Sequence, residues 1–235
     1  MTFGGYPALV DEDLTDEDRY RWLAGYVRTY LERDVRDLAR INDLEPYMRL
    51  QQLMAAQTGQ TIVVSSAASD VGVSSKTVKN YLEYLQLSYQ VLSLPAWSRN
   101  VSKRFVKASK MHFMDFGVLQ AVLNKRGGMT GNEFESFVVT ELYKQAKNLD
   151  SSASFYHLRV QDGAEIDLLV EVPEGYFAFE IKLTEHVTAA DARHLKKIEE
   201  LLDKPLIHGF VLSNDNRTMQ ITDKITAISA ALFLA

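Results

Sequence analysis

Apolar residues recur along the second half of the chain with the periods of strands and of helices. Six stretches stand out, namely strands at 154–160, 163–171, 177–183 and 206–213 and helices at 131–142 and 189–202. The turn Pro173-Glu174-Gly175 separates the second and third strands, which is the pattern of an antiparallel hairpin. We therefore expect residues 127–235 to form one α/β domain.

The central hairpin is predicted to carry its polar residues on defined faces. Because side chains alternate along a strand, Glu165 and Asp167 share one face of the first strand, and Glu180 and Lys182 share one face of the second. Ile166 is expected to point the other way, together with the alternating apolar residues that follow it. The hairpin should therefore place Asp167 near Glu180 and Lys182.

The helix at 131–142 adds a third acidic residue. Phe134, Phe137, Val138 and Leu142 form one apolar stripe at helical spacing, so this face is expected to be buried. Glu135 lies at the border of that stripe. A carboxylate at this position would reach the edge of the core.

The order of helices and strands expected in residues 46–126 predicts a winged helix. Helices are expected at 47–58, at 65–71 and from the cap residue Ser74 to Leu85, where a Gly-containing turn precedes the last helix as in a helix-turn-helix. Two strands, at 89–95 and 111–115, would form the wing. Residues 1–45 are expected to be a helical lead-in segment that packs on this domain, with its helix continuing through 30–35.

Charge is distributed unevenly and favours a polyanion as partner. The chain carries 26 Lys and Arg and 31 Asp and Glu, a net charge of −5, but residues 47–130 hold 10 basic and only 3 acidic side chains. A basic block between two acidic ones is typical of nucleic-acid binding, although it could also dock on its acidic neighbours or contact another protein. Candidates for contact with DNA are Lys76, Lys79 and Asn80 on the last helix and Arg99, Lys103, Arg104 and Lys107 in the wing.

Composition excludes some chemistry and suggests a compartment. The chain has no Cys, so disulfides, thiolate metal sites and thiol catalysis are excluded. It has no P-loop motif and no apolar run long enough to span a membrane. The amino terminus is acidic and unlike a signal peptide, so we expect a cytoplasmic protein. The five histidines show no metal-ligand spacing.

The residues Asp167, Glu180 and Lys182 permit two interpretations. They could be a surface salt-bridge cluster, which would contribute little. Alternatively, Asp167 and Glu180 could hold a divalent cation such as Mg²⁺, which prefers oxygen ligands. Lys182 beside it could then orient a water or stabilise charge on a phosphate.

The order of these residues resembles the PD-(D/E)xK nuclease superfamily. A Glu on a helix, an Asp after a turn and a Glu-x-Lys on the next strand match at Glu135, Asp167, Glu180 and Lys182, while Glu165-Ile166-Asp167 stands where a proline is usual. The resemblance implies Mg²⁺ as cofactor, with metal ligands Asp167, Glu180 and Glu135, the last through a water or a second ion. It implies catalytic roles for Lys182 and Glu135 in phosphodiester cleavage of DNA or RNA, with the Ile181 carbonyl a possible third ligand.

Almost the whole chain is similar to the carboxy-terminal half of bacterial and archaeal AAA+-like P-loop ATPases, which carry a domain of unknown function. The similarity rests on Gly4-Gly5-Tyr6-Pro7, on Tyr30-Leu31-Glu32-Arg33-Asp34, on Lys110 to Gly117 and on the four nuclease-like positions. It implies an α+β protein in which a winged helix-turn-helix domain precedes a PD-(D/E)xK restriction-endonuclease-like domain. The ATPase core is expected to be absent from this chain, because Met1 stands almost at the Gly-Gly-Tyr-Pro stretch.

These observations lead to two hypotheses. In the first, the chain is a Mg²⁺-dependent nuclease-like protein that binds DNA. In the second, it is a non-catalytic DNA- or protein-binding regulator that keeps the nuclease-like fold. Binding of a divalent ion would distinguish them.

Overall fold

Apolar side chains gather in two separate cores, and the chain divides accordingly into two units. The first unit comprises Met1–Ser93 and Met111–Met129, and the second comprises Leu94–Lys110 and Thr130–Ala235. The structure, a computed structural model, describes residues 3–30, 44–104, 107–159 and 165–235. The predicted continuation of the first helix through 31–35 lies outside the described residues.

The architecture is mixed α+β. The helices are α1 (Asp16–Tyr30), α2 (Glu45–Ala56), α3 (Val64–Val71), α4 (Ser75–Leu87), α5 (Val101–Arg104), α6 (Phe116–Val122), α7 (Gly131–Asn148), α8 (Leu195–Ile198) and α9 (Ala230–Leu234). The strands are β1 (Gln60–Thr61), β2 (Val91–Leu94), β3 (Lys110–Phe113), β4 (Ser154–Arg159), β5 (Glu165–Val172), β6 (Gly175–Lys182), β7 (Leu206–Ser213), β8 (Met219–Thr222) and β9 (Ile225–Ser229). A three-residue 3₁₀ turn, Pro7–Leu9, precedes α1.

The first unit is built from helices α1 to α4 and α6 and a small sheet of order β1-β3-β2. Gly72 ends α3 with a left-handed φ of 79°, and the Ser74 side chain accepts a hydrogen bond from Thr77 N at the start of α4. The apolar stripe of α4 is buried, as its periodicity predicts, through Val78 and Leu85 among others. The described elements therefore include the predicted helix-turn-helix pair, and the assignment of a winged helix stays a prediction.

Two of the family-like segments contact each other at the start of this unit. The Asp115 carboxylate accepts hydrogen bonds from Gly5 N at 2.8 Å and from Val118 N at 2.9 Å, so it caps α6 and holds the amino-terminal loop. Gly117 packs against the backbone of that loop, and a Cβ there would lie 2.1 Å from the Phe3 carbonyl oxygen. Only glycine fits this close approach.

The second unit is a six-stranded sheet of order β4-β5-β6-β7-β9-β8 with helices packed against it. Strands β4, β5 and β6 are antiparallel neighbours, whereas β6-β7 and β7-β9 pair in parallel. Helix α7 begins with a capping box in which the Thr130 and Glu133 side chains exchange hydrogen bonds with each other's backbone N–H. The predicted helix at 189–202 is largely a series of turns, of which only Leu195–Ile198 is helical.

The connection between the two strands of the predicted wing groups with the second unit, whereas the strands β2 and β3 lie largely in the first. Residues Leu94–Lys110, which connect β2 to β3, group with the sheet domain and include the short helix α5 instead of extending as a free hairpin. Backbone hydrogen bonds from Trp97 N to His157 O at 2.7 Å and from His157 N to Pro95 O at 3.0 Å attach this connecting segment to β4. The domain predicted for residues 46–126 therefore includes a segment that groups with the second unit.

The side chain of His157 binds the other end of the connecting segment, at Ala108. The imidazole is buried, and its Nε2 lies 3.2 Å from the Ala108 carbonyl oxygen, so Nε2 carries the proton and donates. Burial lowers the pKa of His157 to about 4, against an ordinary value of 6.5. Between pH 4 and 6.5, the imidazole ring is therefore neutral in the folded state but protonated in the unfolded chain.

We expect His157→Gln to weaken the loss of stability in acid. As the pH falls from 6.5 to 4, the parent should lose up to about 1.4 kcal/mol of unfolding free energy per pH unit through this ring. The glutamine amide can still donate to Ala108 O but does not titrate. Urea denaturation at several pH values measures the difference, and the exposed His186→Gln is the control. Identical pH profiles for the parent and His157→Gln would refute this assignment.

Candidate active site

A bulge in β5 sets the direction of the central carboxylate. On β4, Tyr156 faces Leu169 and Leu158 faces Ile166, so β5 has one residue more than β4 between these pairs. Strict alternation would put Ile166 and Leu169 on opposite faces, yet both belong to the core of the second unit. The expectation that Leu168 and Val170 share the face of Ile166 is therefore wrong, because a bulge re-aims the side chains that follow it. Asp167 follows Ile166 within this bulge.

Asp167, Glu180 and Lys182 lie together at the ends of β5 and β6. The Asp167 Oδ2 atom accepts a hydrogen bond from Ile181 N at 2.8 Å and lies 3.8 Å from Lys182 Nζ. Lys182 Nζ is 3.0 Å from Glu180 Oε2. Asp167 and Glu180 are buried, whereas the Lys182 side chain is 41% exposed. The two carboxylates thus lie below an ammonium group that solvent can reach.

Lys110 approaches the same carboxylates from the connecting segment. Its Nζ atom lies 2.7 Å from Glu135 Oε1, 3.1 Å from Glu165 Oε1 and 3.8 Å from Asp167 Oδ1. The Lys110 side chain is only 5% exposed. Glu135, the helix residue predicted for this site, is therefore present in it and is paired with a lysine.

Two buried carboxylate oxygens in this cluster accept no hydrogen bond from the residues that the structure describes. One is Glu135 Oε1, which faces the Lys110 ammonium group at 2.7 Å as an ion pair. The other is Glu180 Oε1, which lies 3.3 Å from His194 Nδ1. That nitrogen is instead 3.0 Å from the Glu165 carbonyl oxygen, which can only accept, so its proton is directed there. Buried oxygens of this kind call for a further cation or water.

The electrostatics of the cluster reflect its burial. Burial raises the pKa of Glu135 and of Glu180, and the negative charge of Asp167 raises both further, against the opposing effect of the nearest lysine. Burial works in the other direction on the pKa of Lys110 and of Lys182, but the surrounding carboxylates outweigh it and raise both. The two ammonium groups therefore do not fully offset the burial of neighbouring carboxylates, and Glu135 and Glu180 take up protons more readily than an ordinary Glu.

The carboxylates are the residues that could hold a divalent cation. In the part of the chain that the structure describes, no group of three or more His, Asp or Glu side chains is already spaced to coordinate one. The donor set nevertheless fits a hard cation, because carboxylate oxygens are buried together and two of them lack hydrogen bonds. Asp167 and Glu180, with Glu135 behind them, would bind it.

The predicted DNA-contacting residues separate into two groups. Lys76, Lys79 and Asn80 are exposed on α4, and Lys107 is exposed in the connecting segment. The side chain of Lys103 lies outside the described part of the chain.

Arg99 and Arg104 form contacts within the second unit, where Arg104 is half-buried and Arg99 is exposed. Arg104 forms an ion pair with Glu171 at 3.2 Å, donates to Ser98 O at 2.7 Å and stacks over Trp97. Arg99 Nη2 donates to the Leu202 carbonyl oxygen at 2.8 Å. The basic composition that suggested DNA contact did not reveal these partners within the second unit, and DNA contact by Arg99 and Arg104 stays a prediction.

Sequence reasoning missed Lys110, Glu165 and His194 as parts of the site. Lys110 was counted within the basic block, and Glu165 was noted only for its face of the strand. His194 lies in the region predicted as a regular helix. Their proximity depends on how the connecting segment and the turns at 189–202 fold, which no local spacing indicates.

Comparison with known proteins gives a family without an assigned activity. Residues 1–128 match the Domain of unknown function (DUF8612), and residues 130–233 match the Domain of unknown function (DUF4143). The boundary between the two matches lies close to the predicted start of the α/β domain. None of the described helices has the length and apolar character needed to cross a membrane.

The similar curated proteins are uncharacterized. Rv2008c of Mycobacterium tuberculosis and Mb2031c of Mycobacterium bovis are each 27% identical over 223 residues, covering 92% of this chain and 49% of theirs. The chain thus spans about half the length of these relatives. A crystal structure of protein VC1899 from Vibrio cholerae aligns with 97% of this chain and 54% of its own at 12% identity, with a TM-score of 0.31 that is too low to support a fold assignment. The match to the Domain of unknown function (DUF8612) covers residues 1–128, more than half of the sequence, so the chain belongs to the DUF8612 family.

Proposed function

We propose that the second unit is a Mg²⁺-dependent phosphodiesterase of PD-(D/E)xK type that cleaves DNA, and that the first unit is a winged helix that brings it to DNA. The observation that carries the proposal is the meeting of the buried carboxylates Asp167 and Glu180 with the accessible ammonium of Lys182. Burying acidic groups is costly unless a cation compensates them, and a cluster of this kind beside an accessible ammonium group is a candidate functional site.

Each residue has a role that follows from its position. Asp167 and Glu180 bind the metal, and the hydrogen bond from Ile181 N fixes the orientation of Asp167. Bound Mg²⁺ would supply a Lewis acid and lower the pKa of a coordinated water. Lys182 lies within 4 Å of both carboxylates and reaches solvent, so it can orient the attacking water and stabilise charge on the phosphate. Glu135 holds a water or a second ion from the helix side.

A specific observation favours the second hypothesis, that of a non-catalytic module. Lys110 and Lys182 already place two positive charges among the carboxylates. A protein that had lost metal binding could be stabilised by such ion pairs alone. Replacing a buried ion pair with well-packed apolar residues is, however, often neutral or stabilising. Stability alone is therefore a weak reason for the presence of these pairs.

We further propose that the chain works with an AAA+-like ATPase core. The chain covers 49% of the curated relatives, so those proteins have room for a further domain of about the same size. The resemblance of Gly4-Gly5-Tyr6-Pro7 and of the segment Lys110 to Gly117 to the ATPase-associated family supports this partner. ATP hydrolysis would belong to that core.

Glu180→Gln and Lys182→Met should separate metal binding from catalysis. Glu180→Gln removes a charged ligand, so Mn²⁺ affinity and cleavage should both fall. Lys182→Met removes a positive charge beside the ligands, so Mn²⁺ affinity should hold or rise while cleavage falls about 10²-fold or more. Isothermal titration with Mn²⁺ and a plasmid-nicking assay measure the two effects.

The matched control for these variants is Glu185→Gln, which changes an exposed carboxylate three residues beyond Lys182. It should leave metal binding and nicking unchanged. If the parent neither binds Mn²⁺ nor nicks DNA, the non-catalytic hypothesis replaces the nuclease. If Lys182→Met nicks DNA as fast as the parent, the role given to Lys182 is wrong.

The helix α4 should supply a salt-dependent part of DNA binding. Replacing Lys76 and Lys79 with Ala should weaken binding to unrelated duplexes about equally, because the phosphate backbone carries no sequence information. The slope of log K against log salt should become shallower by about 0.9 for each phosphate that the protein no longer neutralises. Fluorescence anisotropy at several salt concentrations measures both effects.

The control for this experiment is Lys144/Lys147→Ala, a lysine pair with the same spacing on α7. It removes the same charge from the second unit and should alter DNA binding much less. Equally weakened binding in both double variants would show that binding depends only on net charge and would contradict docking through α4.

A further inference from the structure

Lys110 is a buried cation for which the proposed reaction has no use. It is the first residue of β3, where the chain leaves the connecting segment of the second unit for the first unit. Its ammonium group contacts Glu135, Glu165 and Asp167, whereas Lys182 contacts Glu180 and Asp167. The carboxylate Asp167 therefore lies between two lysines, one buried and one accessible.

The position of the Lys110 ammonium suits a metal ion as well as a lysine. Its three carboxylate partners come from α7 and β5, and two of them, Glu135 and Asp167, are among the residues that the proposed metal site requires. A divalent cation and an ammonium group at this position would repel each other strongly, because unit charges a few ångströms apart interact by several kcal/mol at low effective dielectric. Both cannot be held there together without cost.

Resting on the nuclease function proposed above, we propose that Lys110 is an internal counter-ion that competes with the metal for the same carboxylates. In one state, Lys110 is inserted and neutralises Glu135 and Asp167. In the other, the divalent cation takes those carboxylates and the Lys110 side chain moves out. The site is then switched on by the withdrawal of a lysine, and its metal affinity is reduced by the fraction of molecules in which Lys110 is inserted.

Glu165 provides a route for this withdrawal. Its side chain is 35% exposed, whereas those of Glu135 and Asp167 are each 10% exposed. A lysine side chain is long and flexible, so its ammonium can leave the two inner carboxylates and remain paired with Glu165 at the surface. This change needs only rotation of the Lys110 side chain, so its backbone can stay in place at the start of β3.

The first test uses the unaltered protein and reads the reactivity of the amine. Acylation by an N-hydroxysuccinimide ester, followed by peptide mass spectrometry, should find Lys110 protected without metal. At saturating Mg²⁺ or Mn²⁺ its labelling rate should rise about tenfold or more, because the inserted state is depopulated. The exposed Lys107, on the same segment, should react at the same rate with and without metal. Continued protection of Lys110 at saturating metal would overturn the proposal.

The second test measures metal affinity in variants. Lys110→Met should bind Mn²⁺ about tenfold or more tightly than the parent, whereas Lys110→Arg, which keeps the charge, should not. Lys107→Met is the control and should leave the affinity unchanged. Because Lys110→Met leaves carboxylates without their partner, its melting temperature should fall and should recover on adding Mn²⁺ more than that of the parent does.

A double variant keeps the test decisive if Lys110→Met folds poorly. Lys110→Met/Glu135→Gln removes one charge of each sign and should recover stability, and it should keep part of the gain in Mn²⁺ affinity through Asp167 and Glu180. Equal, measurable Mn²⁺ affinity in the parent, Lys110→Met and this double variant would overturn the competition while leaving the nuclease proposal intact. No Mn²⁺ binding in any of them would overturn both.

Discussion

Three carboxylates buried at one end of a sheet form the constraint on which the second unit depends. Glu135, Asp167 and Glu180 are each less than a tenth exposed, and such groups are stable only if protonated or compensated by positive charge. The structure compensates them with Lys110 from one side and Lys182 from the other. The bulge in β5, the capped start of α7 and the attachment of the connecting segment to β4 all hold these five groups together.

Local pattern was sufficient to predict the elements that carry the site. The alternation in β6 and the turn between β5 and β6 are local signals that lead to Asp167, Glu180 and Lys182 in one place. The apolar stripe of α7 locates Glu135 only at the border of the buried face, and the family resemblance assigned it to the site. The same local reasoning is accurate for α4, where capping by Ser74 and the buried residues Val78 and Leu85 follow directly from the sequence.

What the sequence did not reveal are features that depend on distant contacts. Arg104 looks like a basic wing residue until its contacts are seen, with Glu171 far along the chain and with Trp97 in the same connecting segment. Lys110 looks like part of the same basic block, although its partners are 25 to 57 residues away in sequence. A bulge such as that in β5 shifts side chains by one position, and no periodicity predicts it.

In the proposed account, the two lysines of the site have different parts, one in the chemistry and one in its regulation. Lys182 is accessible and suited to a phosphate, whereas Lys110 is enclosed and suited to replacing a metal ion. The buried lysine accounts for two features together, namely the stability of the carboxylate cluster without a metal and the absence of a ready-made coordination geometry among the described residues.

The central claim is that the carboxylates Asp167 and Glu180 bind a divalent metal. Diffraction at the manganese absorption edge from crystals soaked in Mn²⁺ tests it most directly. The account predicts an anomalous peak about 2 Å from oxygens of both carboxylates, with the Lys110 ammonium withdrawn from Glu135 and Asp167. Crystals saturated with Mn²⁺ that show no peak there, with Lys110 still inserted, would contradict the account.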